Sequence, residues 1–209
     1  KAARAGKHVL CEKPAAMNHA EAVAMIEAAR RANVLFMEAF MYRCHPPIEA
    51  IVELVRSGAI GRVKLIQAAF GFRSDYRPDS RLWSKALGGG GILDVGCYPV
   101  SFARLIAGAA TGAPFADPVE VGGAGELHPE SGADLHAAAT LLFAGGITAQ
   151  VATAVGVWLD NTARVFGTEG WLEIPHPWVV LKRGGTDVIR LHRQGAERPE
   201  VFEVEATDV

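Results

Sequence analysis

Two short apolar runs with a helical pattern between them most constrain what this chain can fold into. Residues 8–11 read HVLC and residues 34–40 read VLFMEAF, and both runs have the length of a buried strand. Asn18, followed by Glu21 three positions later, is typical of a helix start. Apolar residues then recur at helical spacing in two segments, at Ala22, Met25, Ile26 and Ala29, and again at Ile48, Ile51, Val52 and Val55. This strand–helix alternation predicts the end of a doubly wound α/β domain.

The pattern changes after residue 61. Residues 63–72 form an apolar strand pattern, and residues 88–108 form one apolar helix pattern that begins with four glycines. The apolar stretches 135–143, 147–158, 162–174, 186–193 and 201–206 follow, separated by turn residues. We therefore expect residues 1–40 to be the C-terminal part of the α/β domain. Residues 41–209 should form an α+β domain with a large, mostly antiparallel open sheet.

Composition excludes several classes of function. The 209 residues carry a formal net charge of −2, which favours neither a nucleic-acid partner nor a membrane surface. The uninterrupted apolar runs are shorter than the roughly 20 residues that span a bilayer. Three cysteines without a CxxC pair argue against a disulfide framework and favour a cytoplasmic protein. The first residues resemble the end of a helix and no signal peptide is visible, so we expect the chain to be an internal piece of a longer protein.

The first strand pattern ends in two opposite charges and a proline, Glu12, Lys13 and Pro14. The carboxyl ends of parallel strands are where such sheets bind ligands. Proline restricts the backbone, and the Lys13–Pro14 bond has an appreciable chance of being cis. Lys13 is therefore a candidate functional residue. The alternative is a surface lysine at a strand end, which would give the same sequence pattern.

Asp94 and Tyr98 are the second candidates, because residues four apart on a helix share a face. Gly91 and Gly96 flank them and weaken the helix, which suggests that something approaches the backbone closely. The competing interpretation is a core tyrosine whose hydroxyl is bound to a nearby carboxylate.

Arg43 follows the second strand pattern, and its planar guanidinium suits a carboxylate, a phosphate or a ribose edge. A surface ion pair is the alternative. His45 precedes Pro46 and is expected to enter a helix rather than to bind a ligand. The seven histidines show no metal-binding spacing, so no metal site is predicted.

The three motifs in this order resemble the Gfo/Idh/MocA oxidoreductases, and GTEGWLEIPHPW at 167–178 is similar to the C-terminal sheet of that family. The resemblance implies a Rossmann-type nucleotide-binding domain, NAD or NADP as cofactor, and a sugar or polyol-like substrate. It also implies a homo-oligomer assembled through the open sheet. The glycine fingerprint of the family and the residue that reads the ribose 2′ position are expected upstream of Lys1.

The resemblance also implies site residues. It makes Lys13, Asp94 and Tyr98 catalytic and substrate-binding, and the cofactor-binding residues are Glu12, Lys13, Pro14, Arg43 and Trp83. Tyrosine at position 98 is typical of the glucose–fructose oxidoreductase, aldose dehydrogenase and dimeric dihydrodiol dehydrogenase branches.

Elementary chemistry independently favours a tyrosine–lysine pair. Oxidation of an alcohol requires removal of the hydroxyl proton as hydride leaves, and a nearby lysine cation is expected to lower the pKa of the Tyr98 phenol. Four alternatives stay open: a nucleotide-sugar dehydrogenase, a redox-assisted glycosidase, a dinucleotide-binding sensor without turnover, and a structural oligomerisation module.

Overall fold

A computed structural model describes residues 1–178 and 185–206. The N-terminal part contains strand β1 (Val9–Glu12), helix α1 (His19–Arg31) and strand β2 (Phe36–Ala39). β1 and β2 pair in parallel, with Val9 opposite Phe36. The Asn18 side chain accepts a hydrogen bond from the Glu21 N–H at 3.0 Å, so the predicted helix start is confirmed.

The second part contains two helices and one large sheet. Helix α2 (Pro46–Arg56) precedes strand β3 (Val63–Gly71), and helix α3 (Cys97–Ala110) follows a π-helical turn at Ile92–Gly96. The remaining strands are β4 (Pro118–Leu127), β5 (Asp134–Phe143), β6 (Thr148–Ala154), β7 (Ala163–Gly167), β8 (Gly170–Ile174), β9 (Gly185–Arg193) and β10 (Glu200–Ala206). Short 3₁₀ turns lie at Ala3–Ala5, Met41–Cys44, Arg81–Trp83 and Lys85–Leu87.

The large sheet has eight strands in the order β10-β9-β8-β7-β3-β6-β5-β4. Among the strand pairs that the described residues form in this sheet, only β3–β6 is parallel and the others are antiparallel. The predicted fold class, a parallel sheet end followed by a mostly antiparallel sheet, is therefore confirmed. The proposed division into two domains after residue 40 stays a prediction. The last residues of the second proposed domain, 207–209, lie outside the described part of the chain.

The sequence patterns missed strand β4. Its segment PVEVGGAGEL contains three glycines and two glutamates, and almost every residue in it is exposed. Strand β4 forms because backbone hydrogen bonds to β5 hold it at the edge of the sheet, and an edge strand needs no buried face. The single helix predicted after the run of glycines begins as a π-helical segment at Ile92–Gly96 and continues as α3.

Within residues 1–178 and 185–206, helices cover one face of the large sheet and leave the other uncovered. Helix α3 packs on β3 and β6, and α2 packs on α3, β9 and β10. Side chains alternate accordingly: Ile66 and Val165 are fully buried under the helices, whereas the Gln67 amide on the other face donates to Gln150 Oε1 at 2.7 Å. A shallow trough of about 590 Å³ crosses that uncovered face.

One helical stretch among the described residues, Lys85–Ala110, is long and apolar enough to cross a membrane by length and composition. Most of its apolar window is buried inside the structure, as in the core helix of a domain, and α3 occupies its second half. The stretch therefore gives little support to a membrane span.

Candidate active site

Lys13 lies immediately after β1, at the carboxyl edge of the parallel pair, and the Lys13–Pro14 peptide is cis. Its Nζ donates a hydrogen bond to the main-chain oxygen of Asp94 at 2.6 Å and lies 3.9 Å from Asp94 Oδ1. The side chains of Lys13 and Asp94 are only 17 % and 13 % exposed. Residues 81 positions apart in the sequence therefore meet at the strand end, as the motif reading predicted.

The glycines before Asp94 leave room for two side chains from the large sheet to approach the backbone. Gly90 has φ +102°, and a Cβ placed there would collide with the Asp134 carboxylate. Asp134 Oδ2 accepts a hydrogen bond from the Ile92 N–H at 2.7 Å, and Thr153 Oγ1 donates one to the Gly91 oxygen at 2.9 Å. Sequence analysis predicted a close approach here, and the partners that approach are Asp134 and Thr153 from the sheet. They fix the start of the helical segment that carries Asp94 and Tyr98.

The Tyr98 ring is enclosed by other aromatic side chains and is only 4 % exposed. Its centroid lies 5.2 Å from those of Phe40 and Phe70 and 5.5 Å from that of Tyr42. Lys13 Nζ lies 5.2 Å from the centre of the ring. Tyr98 is thus a packed core residue and at the same time a neighbour of Lys13. A place in the core and a place beside the candidate catalytic lysine are therefore compatible.

The pKa of Tyr98 is raised to about 12, mainly by burial and in addition by the nearby Cys97, Glu12 and Asp94. The expectation that Lys13 lowers this pKa is wrong for the chain as described. The physical reason is that desolvation of the phenolate dominates, with three acidic groups acting in the same direction. Near neutral pH the group is therefore a phenol.

Arg81 is the residue at this site that the sequence reading missed. Its Nη2 lies 2.6 Å from Asp94 Oδ1, so the carboxylate has two cations beside it. Nothing in the sequence separates Arg81 from Arg73 or Arg77 in the same polar stretch. Its importance arises only from the turn at Arg81–Trp83, which brings the side chain over the helix start.

Lys13 and Arg81 line one depression of about 420 Å³ at the carboxyl edge of β1. Glu12 and Pro14 line the same depression, and Glu12 is exposed. Five of the predicted site residues are therefore within one neighbourhood, since Asp94 and Tyr98 contact Lys13 from the helix side: Glu12, Lys13, Pro14, Asp94 and Tyr98.

Arg43 and Trp83 lie elsewhere. The Arg43 guanidinium is 4.5 Å from the centre of the Phe115 ring and lines a separate depression. Trp83 is only 3 % exposed, packs with Val95 and Val155, and donates its indole N–H to the Asp75 oxygen at 3.0 Å. Trp83 is a core residue whose polar atom is already paired, so its assignment to cofactor binding has no structural support.

Within the described residues, no group of three or more His, Cys, Asp or Glu side chains is arranged to hold a metal ion. His45 is buried at the start of α2, as expected for a helix-entry residue.

Comparison with known proteins identifies the family. Residues 48–173 match the GFO/IDH/MocA C-terminal domain, and residues 1–40 match the NAD-binding Rossmann fold of the oxidoreductase family. The model matched by residues 1–40 describes an NAD-binding class of oxidoreductases. The chain belongs to the GFO/IDH/MocA family, and the resemblance seen in the sequence is confirmed.

Its relatives include dihydrodiol dehydrogenases. The chain is 37 % identical over 174 residues to trans-1,2-dihydrobenzene-1,2-diol dehydrogenase of Mus musculus, which covers 83 % of this chain and 50 % of the relative. The Xenopus laevis protein of the same name is 40 % identical over 170 residues, covering 81 % and 49 %. The chain therefore spans about half the length of the curated relatives it matches.

Solved structures give the same fold. An aldose–aldose oxidoreductase from Caulobacter crescentus in complex with glycerol matches with a TM-score of 0.81 and 30 % identity, covering all of this chain and 58 % of that one. The 3-ketoreductase KijD10 from Actinomadura kijaniata, in complex with NADP and TDP-benzene, matches with a TM-score of 0.86 and 28 % identity, covering 99 % and 60 %.

Proposed function

We propose that the protein carrying this chain is an NAD- or NADP-dependent oxidoreductase that transfers hydride between the nicotinamide and a hydroxyl-bearing carbon of a sugar, polyol or dihydrodiol. The meeting of Lys13, Asp94 and Tyr98 carries this proposal. A proton donor or acceptor, a cation and a carboxylate are the groups needed to handle a hydroxyl that becomes a carbonyl. The names of the dihydrodiol dehydrogenase and aldose–aldose oxidoreductase relatives support the substrate class.

Tyr98 moves the proton in this proposal. Because its pKa is raised to about 12, the hydroxyl keeps its proton near neutral pH and can donate it when a carbonyl is reduced. In the opposite direction the phenolate must form first, so oxidation should become faster as the pH rises. Lys13 uses one N–H on the Asp94 carbonyl and has two left to hold the reacting oxygen.

The residues present fit a nicotinamide cofactor at the carboxyl edge of β1. The depression beside Lys13 offers the ammonium as donor and the exposed Glu12 carboxylate as acceptor, which suits a ribose diol. When bound, the cofactor supplies the hydride donor or acceptor. Glu12, Lys13 and Pro14 would hold its ribose end, while Arg43 is placed at a different depression and Trp83 is buried.

A nucleotide sugar is the second candidate substrate. The similarity to KijD10, whose structure contains TDP-benzene, favours it. A sensor that binds dinucleotide without turnover would require neither Tyr98 nor Asp94 beside Lys13, so it ranks below both enzyme proposals.

We also propose that the protein is a cytoplasmic homo-oligomer. The uncovered face of the eight-stranded sheet, with its trough of small side chains, supports assembly through that face. The three free cysteines are compatible with a reducing compartment.

An activity assay on the full-length protein tests the proposal. Purified protein is given NAD or NADP with trans-1,2-dihydrobenzene-1,2-diol, a panel of aldoses and polyols, and a TDP-sugar, and reduced nicotinamide is followed by absorbance. Turnover of a diol, aldose or polyol is expected. Turnover of the TDP-sugar alone would favour the second candidate. Dinucleotide binding with no turnover of any compound in either direction would contradict both and leave the sensor.

A further inference from the structure

We propose that Arg81 is a positioning residue that holds the Asp94 carboxylate away from Lys13 and presents it to a second hydroxyl of the substrate, next to the reacting one. This inference rests on the proposed oxidoreductase function. It assigns a role to a residue that neither the sequence motifs nor the comparisons single out.

The two cations at Asp94 are not equivalent. Arg81 Nη2 lies 2.6 Å from Oδ1, within hydrogen-bond distance, whereas Lys13 Nζ lies 3.9 Å from the same atom. Lys13 makes its short bond, 2.6 Å, to the main-chain oxygen of Asp94 instead. The carboxylate is therefore bound to Arg81, and the ammonium is bound to the backbone.

This division of partners leaves both groups free for a ligand. Oδ1 is occupied by Arg81, and Oδ2 accepts no hydrogen bond from any residue in the described part of the chain. Oδ2 can thus accept a hydrogen bond from a substrate hydroxyl, while Lys13 keeps two N–H donors for the neighbouring oxygen. One acceptor and one cationic donor side by side match two adjacent hydroxyl groups.

Removal of Arg81 should collapse the arrangement. Asp94 and Lys13 are both mostly buried, and an ion pair gains strength as its surroundings lose water. Without the guanidinium, the shortest way to balance the carboxylate charge is for Asp94 to rotate onto Lys13 Nζ. The carboxylate would then be turned from the second hydroxyl, and one donor of Lys13 would be lost to the reacting oxygen.

Two contacts hold the segment that carries Arg81 in a position from which the guanidinium can bind Asp94. Trp83, two residues later, packs with Val95, the neighbour of Asp94 in the sequence. The Gly90 N–H donates to the Leu82 oxygen at 2.8 Å, which ties the turn to the glycine segment. Arg81 itself remains 53 % exposed and lines the depression beside Lys13. The buried Trp83 is therefore explained as the anchor of the turn.

The test compares Arg81→Met and Arg81→Lys with the wild type in the full-length protein. Arg77→Met is the matched control, because Arg77 is an exposed arginine in the same stretch. The substrates are pairs that differ by one hydroxyl, D-glucose with 2-deoxy-D-glucose and trans-1,2-dihydrobenzene-1,2-diol with cyclohexa-2,4-dien-1-ol.

In Arg81→Met, kcat/KM should fall by about 10- to 100-fold for the member with two hydroxyls, the range of a lost hydrogen bond to a charged group, and by less for the member with one. Arg81→Lys should recover part of the loss, and Arg77→Met should behave as the wild type. An equal fall for both members of a pair, or no fall, would overturn the proposal.

A crystal structure of Arg81→Met gives a second result that does not depend on turnover. Asp94 should be rotated so that a carboxylate oxygen lies within hydrogen-bond distance of Lys13 Nζ. A carboxylate that stays in its wild-type position would refute the positioning role even if the enzyme proposal holds. Absence of turnover in the wild type, with the rotation observed, would instead refute the proposed function and leave the geometric role standing.

Discussion

The ammonium of Lys13 donates a 2.6 Å hydrogen bond to the main-chain oxygen of Asp94, joining the end of a parallel strand to the start of the π-helical segment. The bond uses a backbone acceptor, so it fixes the lysine without neutralising it. It also places the cation 5.2 Å from the centre of the Tyr98 ring. The two parts of the candidate site, β1 and the helix start, are linked through this contact.

Replacement of Lys13 by methionine should lower kcat by at least about 10-fold at neutral pH, because the reacting oxygen loses its cationic donor. Lys64→Met, at an exposed position on β3, is the control and should keep wild-type kcat. Steady-state rates over pH 6–10, normalised to folded protein, measure the effect. Equal rates in the two variants would remove Lys13 from the mechanism.

Gly90→Ala should destabilise the fold by about 2 kcal/mol or more, because φ +102° is strained for any side chain and the new methyl would collide with Asp134. Gly122→Ala is the matched control, since a Cβ on this edge-strand glycine meets nothing within 4 Å. Urea denaturation of both variants gives the comparison. Equal midpoints would show that the Asp134 contact does not restrict the glycine segment.

The open-sheet interface is tested by Ala138→Arg, which places a charged side chain in the trough on the uncovered face. We expect the full-length oligomer to dissociate, as measured by light scattering at micromolar concentration. Ala24→Arg, on the exposed surface of α1, is the control and should leave the mass unchanged. A wild-type monomer, or an Ala138→Arg variant of unchanged mass, would contradict assembly through this face.

Alkaline pH should destabilise the fold through two buried tyrosines. Burial raises the pKa of both Tyr42 and Tyr98 from the usual 10.0 to about 12. Between pH 10 and 12 the unfolded chain loses these protons before the folded chain does, so stability that is fully present below pH 10 is lost as the pH approaches 12. Tyr42→Phe and Tyr98→Phe should each reduce the fall in unfolding temperature over this range. If the unfolding temperatures of both variants fall as much as that of the wild type, the two phenols are not held neutral in the folded protein.

Sequence patterns were most informative where local chemistry alone determines structure. The Asn18 and Glu21 pair fixes a helix start through contacts three residues apart, and β1 and β2 are short apolar runs. The family motif located Lys13, Asp94 and Tyr98, whose contacts confirm that they lie together.

What sequence reading missed depends on tertiary contacts. Strand β4 has no buried face and forms by pairing with β5. Arg81 is important only because the turn anchored by Trp83 brings it to Asp94. A buried anchor and a ligand-stacking tryptophan look alike in a sequence, so the assignment of Trp83 to cofactor binding stays a prediction. The pKa of Tyr98 depends on burial by Phe40 and Phe70, which are far from it in the chain.

The most direct test of the central claim compares Tyr98→Phe with Tyr42→Phe in the full-length protein. Both tyrosines are buried in the same aromatic cluster, and the Tyr42 hydroxyl donates to Ser101 Oγ at 2.8 Å. Tyr42→Phe should lose about 1 kcal/mol of stability and keep its turnover per folded molecule. Tyr98→Phe should lower kcat by at least about 10²-fold at unchanged dinucleotide affinity, because the ring remains packed and only the proton-transferring hydroxyl is lost. Near wild-type kcat in Tyr98→Phe would contradict the assignment of Tyr98 as the acid–base group.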